Sequence, residues 1–297
     1  MCGIVGLFLK DPALEPELGK YLSSMLKVMT DRGPDSAGFA VYGRGTDGLA
    51  KVTVRLAGAD AQATLLDGLG ARFGGALGVT KRSSHLVLTV PEASVADLTA
   101  AIAEIAPAAR IASVGANMEV YKEVGLPADV SAAFGLETMA GTHAIGHTRM
   151  ATESAVTTDG AHPFSTGPDQ CLVHNGSLSN HNNLRRELRH AGMSFATEND
   201  SEVAAVYLTA EMAKGKNLGE ALEGAIGDLD GFFTFVVGTR TGFGVLRDPI
   251  ACKPAVMAET DQYVAFGSEY RALVDLPGIE TARVWEPEPA TVYFWEH

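Results

Sequence analysis

Cys2-Gly3-Ile4-Val5-Gly6-Leu7-Phe8-Leu9, directly after Met1, decides how this chain is read. Residues 3–9 are a short unbroken apolar run, which predicts a strand starting almost at the terminus. The residue in front of that strand is a cysteine. A small second residue allows an aminopeptidase to remove Met1, and Cys2 would then carry a free α-amine. Such an amine titrates at about 7.7–8.0, so a useful fraction is unprotonated near neutral pH. One residue would thus supply both a thiol nucleophile and the base that takes its proton. Taken alone, Cys2 is also explained as a small apolar residue at a frayed terminus.

Outward from this strand, Leu18, Tyr21, Leu22, Met25, Leu26 and Met29 recur at helical spacing and predict an amphipathic helix. Asp31-Arg32-Gly33-Pro34-Asp35 ends it in a tight loop. Strands are expected over 38–42 and 51–56. Residues 57–140 then change in character, rich in Ala, Val and Leu and poor in side chains able to do chemistry. Within them a strand over 84–90, a helix over 94–106 stopped by Pro107 and a strand over 110–114 predict an inserted small α/β subdomain. Helices are expected over 179–190 and over 200–214, the second with Asp200 as N-cap. Strands follow over 232–237, 244–247, 263–267, 283–285 and 291–295. Strands at both ends with helices between them predict stacked sheets sandwiched by helices.

A chain of 297 residues has room for one large domain or two ordinary ones. With 46% hydrophobic and 20% charged residues it is globular rather than disordered. A net charge of −13 without any Lys/Arg-rich stretch argues against nucleic acid as a partner. No apolar run is long enough for a membrane-spanning helix, and no basic segment with an apolar core heads the chain. Cys2, Cys171 and Cys252 have no paired spacing, so neither a disulfide framework nor a structural zinc site is expected. The expectation is a cytoplasmic protein with reduced thiols.

Polar side chains able to do chemistry crowd into residues 143–202. In Gly146-His147-Thr148-Arg149-Met150-Ala151-Thr152, a strand arginine among small and hydroxyl residues presents a guanidinium fork to a carboxylate, or makes a buried structural ion pair. His174-Asn175-Gly176 ends the apolar run 171–173. Asn-Gly there is a plain turn, or else the Asn175 amide and the Gly176 N–H are two donors for a developing oxyanion. In Glu198-Asn199-Asp200-Ser201-Glu202, a helix cap is a sufficient reason for Asp200, and gripping a substrate ammonium is the alternative. Arg32 and Asp35 make a surface salt bridge or the wall of a small polar pocket. His143, His147, His162, His174 and His181 come without a carboxylate–histidine helix motif, so no metal site is expected. Together the set supplies a nucleophile with its own base, an arginine for an α-carboxylate, an aspartate for an α-ammonium and two oxyanion donors. Such a pocket would hold glutamine by its amino-acid end and attack the side-chain amide.

Cys2-Gly3-Ile4-Val5-Gly6, Arg32-Gly33-Pro34-Asp35-Ser36-Ala37-Gly38, Gly146-His147-Thr148-Arg149, Asn175-Gly176 and Asp200-Ser201-Glu202, in this order, resemble the motif series of the class II glutamine amidotransferases, which are N-terminal nucleophile hydrolases. Arg247-Asp248-Pro249 with Lys253-Pro254, and Gly267-Ser268-Glu269, resemble the closing strands of that domain. The resemblance spans residues 2–297 apart from the 57–140 insertion. It implies an α+β fold, a four-layer αββα sandwich of two mainly antiparallel sheets. It implies Cys2 as the nucleophile that forms a γ-glutamyl thioester, with its own amine as base and then as proton donor to ammonia. By the same match Asn175 and Gly176 form the oxyanion hole, Arg149 binds the α-carboxylate of glutamine and Asp200 its α-ammonium. Arg32 belongs to the loop beside the nucleophile, and Thr152 and His162 line the site. Met150 stands where relatives often carry an aromatic residue, and the span between Gly38 and Gly146 is longer than in compact members.

No synthase, phosphoribosyltransferase, isomerase or ATP-using domain follows the closing strands before His297. The expectation is an amidotransferase subunit that passes ammonia to a separate synthase subunit. The chain is similar to the amidotransferase subunit of N-methylglutamate synthase and to the glutamate synthase amidotransferase domain, which implies a hetero-oligomer. In such assemblies flavin and iron–sulfur clusters belong to a partner, so no cofactor is expected in this chain. A stand-alone γ-glutamyl amide hydrolase and a non-catalytic structural subunit are the alternatives. The 57–140 unit is expected as a docking or oligomerisation surface, or as inert elaboration.

Overall fold

The computed structural model describes residues 2–151 and 155–297. Strand β1 (Gly3–Leu9) is buried on both faces. Ile4 and Phe8 point to one side and Val5, Leu7 and Leu9 to the other, as strand alternation requires. A strand apolar on both faces must be covered on both, and the fold supplies a sheet on one side and helices on the other.

Among the described residues β1 lies inside a seven-stranded antiparallel sheet. Its order is β15 (Arg283–Trp285), β13 (Val256–Glu259), β14 (Tyr263–Gly267), β1, β8 (His143–Arg149), β2 (Ser36–Tyr42), β7 (Met118–Val124). A five-stranded sheet faces it, ordered β16 (Val292–Glu296), β12 (Gly242–Arg247), β11 (Gly231–Gly238), β10 (Gln170–Leu178), β9 (Phe164–Gly167). Ile4, Phe8, Tyr42, Val173, Phe243 and Phe266 interdigitate between them. Helices α1 (Leu18–Val28) and α4 (Pro127–Phe134) cover the outer face of the first sheet, over Val5, Leu7 and Phe39. Helices α5 (His181–His190), α6 (Asp200–Ala213) and α7 (Leu218–Asp228) cover the outer face of the second, over Leu172, Phe233 and Phe235. This is the αββα sandwich expected from the sequence.

A third sheet is built from residues between the first sheet's strands β2 and β7. Its order is β4 (Gly78–Arg82), β5 (His85–Pro91), β3 (Leu49–Arg55), β6 (Arg110–Gly115), all antiparallel. Helices α2 (Ala59–Phe73) and α3 (Val95–Ile105) pack on one face of it, closing a separate core of Val52, Val54, Leu65, Leu69, Leu88 and Ile102. The chain order strand–helix–strand–strand–helix–strand with these neighbours is the split βαβ arrangement. This layer runs from Leu49 to Gly115, whereas the change in composition marks 57–140. The shift at both ends has one cause: composition does not say which sheet a strand joins. Strand β3 is the centre of the small sheet, while β7 pairs with β2 from Ser36↔Val124 to Tyr42↔Met118 and so belongs to the sandwich. Asp169 ties the crossing point, its carboxylate accepting from the N–H groups of Ala116, Asn117 and Met118.

Candidate active site

Pairing of Gly3 with Thr148 sets the start of β1 beside the end of β8, which brings Cys2 next to Arg149. Strand β10 of the facing sheet reaches the same place. The Asn175 amide donates to the Cys2 carbonyl at 3.2 Å. Arg32 Nε donates to the same carbonyl at 3.0 Å, and its Nη1 pairs with Glu269 at 2.7 Å. Gly33 lets the Arg32 loop lie against β8, since a Cβ there would sit 2.3 Å from the Thr148 carbonyl carbon. The backbone of Cys2 is thus held by two donors, while its thiol stays partly exposed, 3.9 Å from the Met150 carbonyl.

A cavity of about 740 Å³ opens at Cys2, within the usual size of small-molecule sites. Arg149, His162, His174, Gly176 and Asp200 line it. Asn175 and Gly176 do not form a turn. They lie within β10, whose pairing with β11 continues to Leu178↔Gly231. Gly176 has φ +154°, and a Cβ there would lie 2.0 Å from the Phe232 carbonyl oxygen. Only glycine fits a backbone that approaches β11 this closely.

Three consecutive side chains at the start of α6 do three different things. The helix is capped by Asn199, whose side chain accepts from Ser201 N–H at 2.8 Å, and not by Asp200 as the sequence suggests. Asn and Asp serve equally as caps, so spacing alone does not choose between neighbours. Asp200 is therefore released to the cavity. One of its oxygens accepts from Leu178 N–H at 2.9 Å, and the other lies 3.4 Å from Ser201 Oγ and 4.0 Å from His174 Nδ1. Ser201 Oγ bonds His174 Nδ1 at 2.8 Å. Glu202 accepts from Ala196 N–H, Thr197 N–H and Thr197 Oγ1 at 2.6, 2.7 and 2.6 Å, and so pins the loop that walls the cavity. Arg185 of α5 holds that loop from the other side, through the carbonyls of Thr197 and Asn199.

Burial keeps His147, His162 and His174 neutral. His147 Nε2 donates to the His174 carbonyl at 3.0 Å, and its ring stacks on His162 at 4.0 Å between centroids. Burial pulls His147 down to about 3, against the hydrogen bond to the His174 carbonyl, which favours the charged ring. Burial also holds His162 well below its ordinary value and lowers His174. These three rings therefore add no imidazolium to a pocket that presents a guanidinium, a carboxylate, backbone donors and a thiol.

Of the residues singled out by sequence, Cys2, Arg149, His162, Gly176 and Asp200 line the cavity, while Arg32 and Asn175 meet the Cys2 carbonyl from beside it. Thr152 and Met1 lie outside the described residues. Sequence reasoning missed the loop carrying Thr157, Asp159 and Gly160, and the rim made by Phe232 with Lys253 Nζ 4.9 Å above its ring. Lys253-Pro254 carried a signal for the rim. Nothing in the sequence marked the 155–160 loop, which reaches the site because Arg149 donates to the Ala155 carbonyl at 3.3 Å.

The sequence profile of a glutamine amidotransferase domain matches residues 147–275. The chain is 67% identical over 297 residues to the glutamine amidotransferase-like protein GlxB of Rhizobium meliloti, covering 100% of this chain and 99% of that protein. It is 33% identical over 312 residues to a putative glutamine amidotransferase of Methanothermobacter thermautotrophicus, covering 100% of both. Among solved structures the fold is similar to the glutamine phosphoribosylpyrophosphate amidotransferase of B. subtilis, with a TM-score of 0.64 at 18% identity. That match covers 99% of this chain and 47% of the other.

Proposed function

We infer the reaction from the premise that this chain belongs to the class II glutamine amidotransferase family, which two relatives matched over their whole length establish. It is a glutamine-hydrolysing enzyme of the N-terminal cysteine type. Once Met1 is removed, the Cys2 α-amine takes the thiol proton and the sulfur attacks the side-chain amide carbon. The Gly176 N–H and the Asn175 amide receive the charge that develops on the oxygen. The C–N bond breaks, the ammonium at Cys2 returns its proton to the leaving nitrogen, and ammonia departs. Water, deprotonated by the same amine, then cleaves the γ-glutamyl thioester to glutamate and restores the thiol. Arg149 grips the α-carboxylate and Asp200 the α-ammonium, with His162 beside them and Arg32 fixing the nucleophile's backbone. The observation that carries this reading is the convergence of Cys2, Arg149, Gly176 and Asp200 on one cavity.

The ammonia goes to a synthase subunit of a glutamate-synthase-like assembly, such as N-methylglutamate synthase. Amide hydrolysis is not a redox reaction and the residues named suffice for it, so flavin and iron–sulfur chemistry belongs to that partner. The chain works in the cytoplasm. Among the described residues no helix is long and apolar enough to cross a membrane.

The test is the intact mass of the native protein before and after treatment with diazo-oxo-norleucine, an electrophilic glutamine analogue. The expected result is a chain lacking Met1 that gains one adduct, absent in Cys2→Ala. Retained Met1, or no adduct even with the partner subunits present, would overturn the reading.

A further inference from the structure

A second cavity, of about 90 Å³, lies in the seam between the four-stranded layer and the sandwich. Arg55 of β3, His85 of β5, Arg110 of β6 and Lys122 of β7 line it, with Phe164 of β9 as an apolar wall. The three cations there face two carboxylates, Asp159 and Glu202. Glu202 is already occupied by its three donors in the 196–197 loop. Lys122 Nζ is held by the carbonyls of Ala161, Asp159 and Pro163 at 2.8, 3.3 and 3.4 Å. With Glu123 adding a longer-range attraction at Arg55, Asp159 is, among the described residues, the carboxylate that pairs with both arginines, its Oδ1 2.8 Å from Arg55 Nη2 and its Oδ2 3.9 Å from Arg110 Nε. It does so loosely, because 45% of its side chain is exposed. His85, by contrast, is fully buried, and its Nε2 has no partner among the described residues.

The two cavities share a wall, since Asp159, Ala196 and Thr197 line both. Asp159 sits on the short segment that also carries Ala155, the acceptor of the Arg149 guanidinium, and Gly160, which faces the larger cavity.

We propose that the seam cavity is an effector site for a small oxyanion, a carboxylate or a phosphate, which replaces Asp159 as the partner of Arg55 and Arg110. A guanidinium offers parallel N–H donors to either class of anion, and the internal carboxylate now bound there shows which charge the pair accepts. The displaced Asp159 carries the 155–160 segment with it, so occupancy of the seam changes the wall around Arg149. By linkage, glutamine and the anion alter each other's affinity by the same factor. This coupling rests on the larger cavity being the glutamine site, whereas anion binding in the seam does not.

Isothermal titration calorimetry of the full chain with inorganic phosphate and, separately, with acetate, at constant ionic strength, tests binding. At least one of the two binds at a single site, and the one that binds identifies the class. Arg55→Met weakens it by about tenfold or more, as loss of one charge-assisted contact requires. Asp159→Asn tightens it severalfold, because the competing internal carboxylate is gone. That opposite sign separates displacement from nonspecific attraction to a basic surface. No binding of either anion, or equal binding in Arg55→Met, overturns the site, and weaker binding in Asp159→Asn overturns the displacement. Coupling is read from the rate of diazo-oxo-norleucine labelling with and without the anion, which differs by a factor abolished in Arg55→Met. If labelling fails in every arm while calorimetry behaves as stated, it is the glutaminase reading that falls and the seam site that stands.

Discussion

Replacing Asp200 with asparagine separates recognition of the substrate ammonium from the upkeep of the fold. The substituted amide would keep an oxygen to accept the Leu178 N–H that now bonds at 2.9 Å, so the local backbone is preserved. What the change removes is a negative charge that the adjoining His174 does not neutralise, because burial keeps that ring unprotonated. Unit charges about 4 Å apart attract by about 4 kcal/mol at an effective dielectric of about 20. The side chain is 23% exposed, and a hydrogen bond to a charged group nets about 1.5–3 kcal/mol. A working figure of about 2 kcal/mol is about 30-fold in kcat/KM. The assay compares glutamine with glutaramate, which is glutamine without its α-amine. The wild type should prefer glutamine by about 30-fold. In Asp200→Asn that preference should collapse to near unity, with glutamine turnover falling and glutaramate turnover nearly unchanged. If the variant loses both substrates by the same factor, Asp200 acts through His174 or Leu178 and does not read the ammonium.

Gly176→Ala should slow diazo-oxo-norleucine labelling by about 10²–10³, the usual cost of a displaced oxyanion donor. It should also lower stability in urea unfolding by about 1–3 kcal/mol, since the new Cβ meets backbone at 2.0 Å with φ at +154°. Acid should destabilise the protein before its carboxylates titrate. His143 and His147 are held at about 3 by burial, against about 6.5 when unfolded, so below that value the unfolded chain binds more protons and stability falls. At pH 5 each should have lost about 2 kcal/mol, and His143→Gln, away from the cavity, should show a shallower slope in urea melts between pH 7 and 5. Glu202→Gln should raise KM for glutamine more than it lowers kcat, because it loosens the 196–197 loop that three hydrogen bonds now pin. Proteolysis within that loop, measured alongside, should accelerate.

The sandwich was readable because its strands are short, apolar and bounded by turn residues. Strand β1 matches the expected 3–9 run, and β14 the expected 263–267 run, residue for residue. Helix α2 escaped notice because its buried side is thin, with only Gln62, Leu65 and Leu69 fully covered. Strand β7 was hidden by polar residues such as Glu119, Lys122 and Glu123, whose partners are tertiary: Lys51, three loop carbonyls, and Ser84 with Thr158. Pairing of this kind leaves no periodic trace. The site residues were legible as types, but their geometry was not. The motif suggests an amide aimed at an oxyanion, and the structure adds that one N–H of the Asn175 amide is on the Cys2 carbonyl, so the proposed oxyanion contact falls to the second.

Asp200-Ser201-Glu202 explains why such a site is visible as a motif and yet opaque in its details. Each side chain leaves the helix in a different direction, as three consecutive positions must. Asp200 faces the cavity, Ser201 holds His174, and Glu202 holds the loop. The three functions depend on one another. If Ser201 did not engage His174 Nδ1, the imidazole would be free to turn toward the Asp200 carboxylate 4.0 Å away. An imidazolium formed there would cancel the charge on which the proposed ammonium recognition depends. Burial prevents this by penalising the charged ring. The stack of neutral histidines beside Arg149 extends the same logic to the proposed carboxylate end of the site. The apolar packing of the sandwich therefore does more than stabilise the fold. It keeps the rings of His147, His162 and His174 uncharged beside Arg149 and Asp200, the two groups proposed to meet the opposite charges of an amino-acid zwitterion.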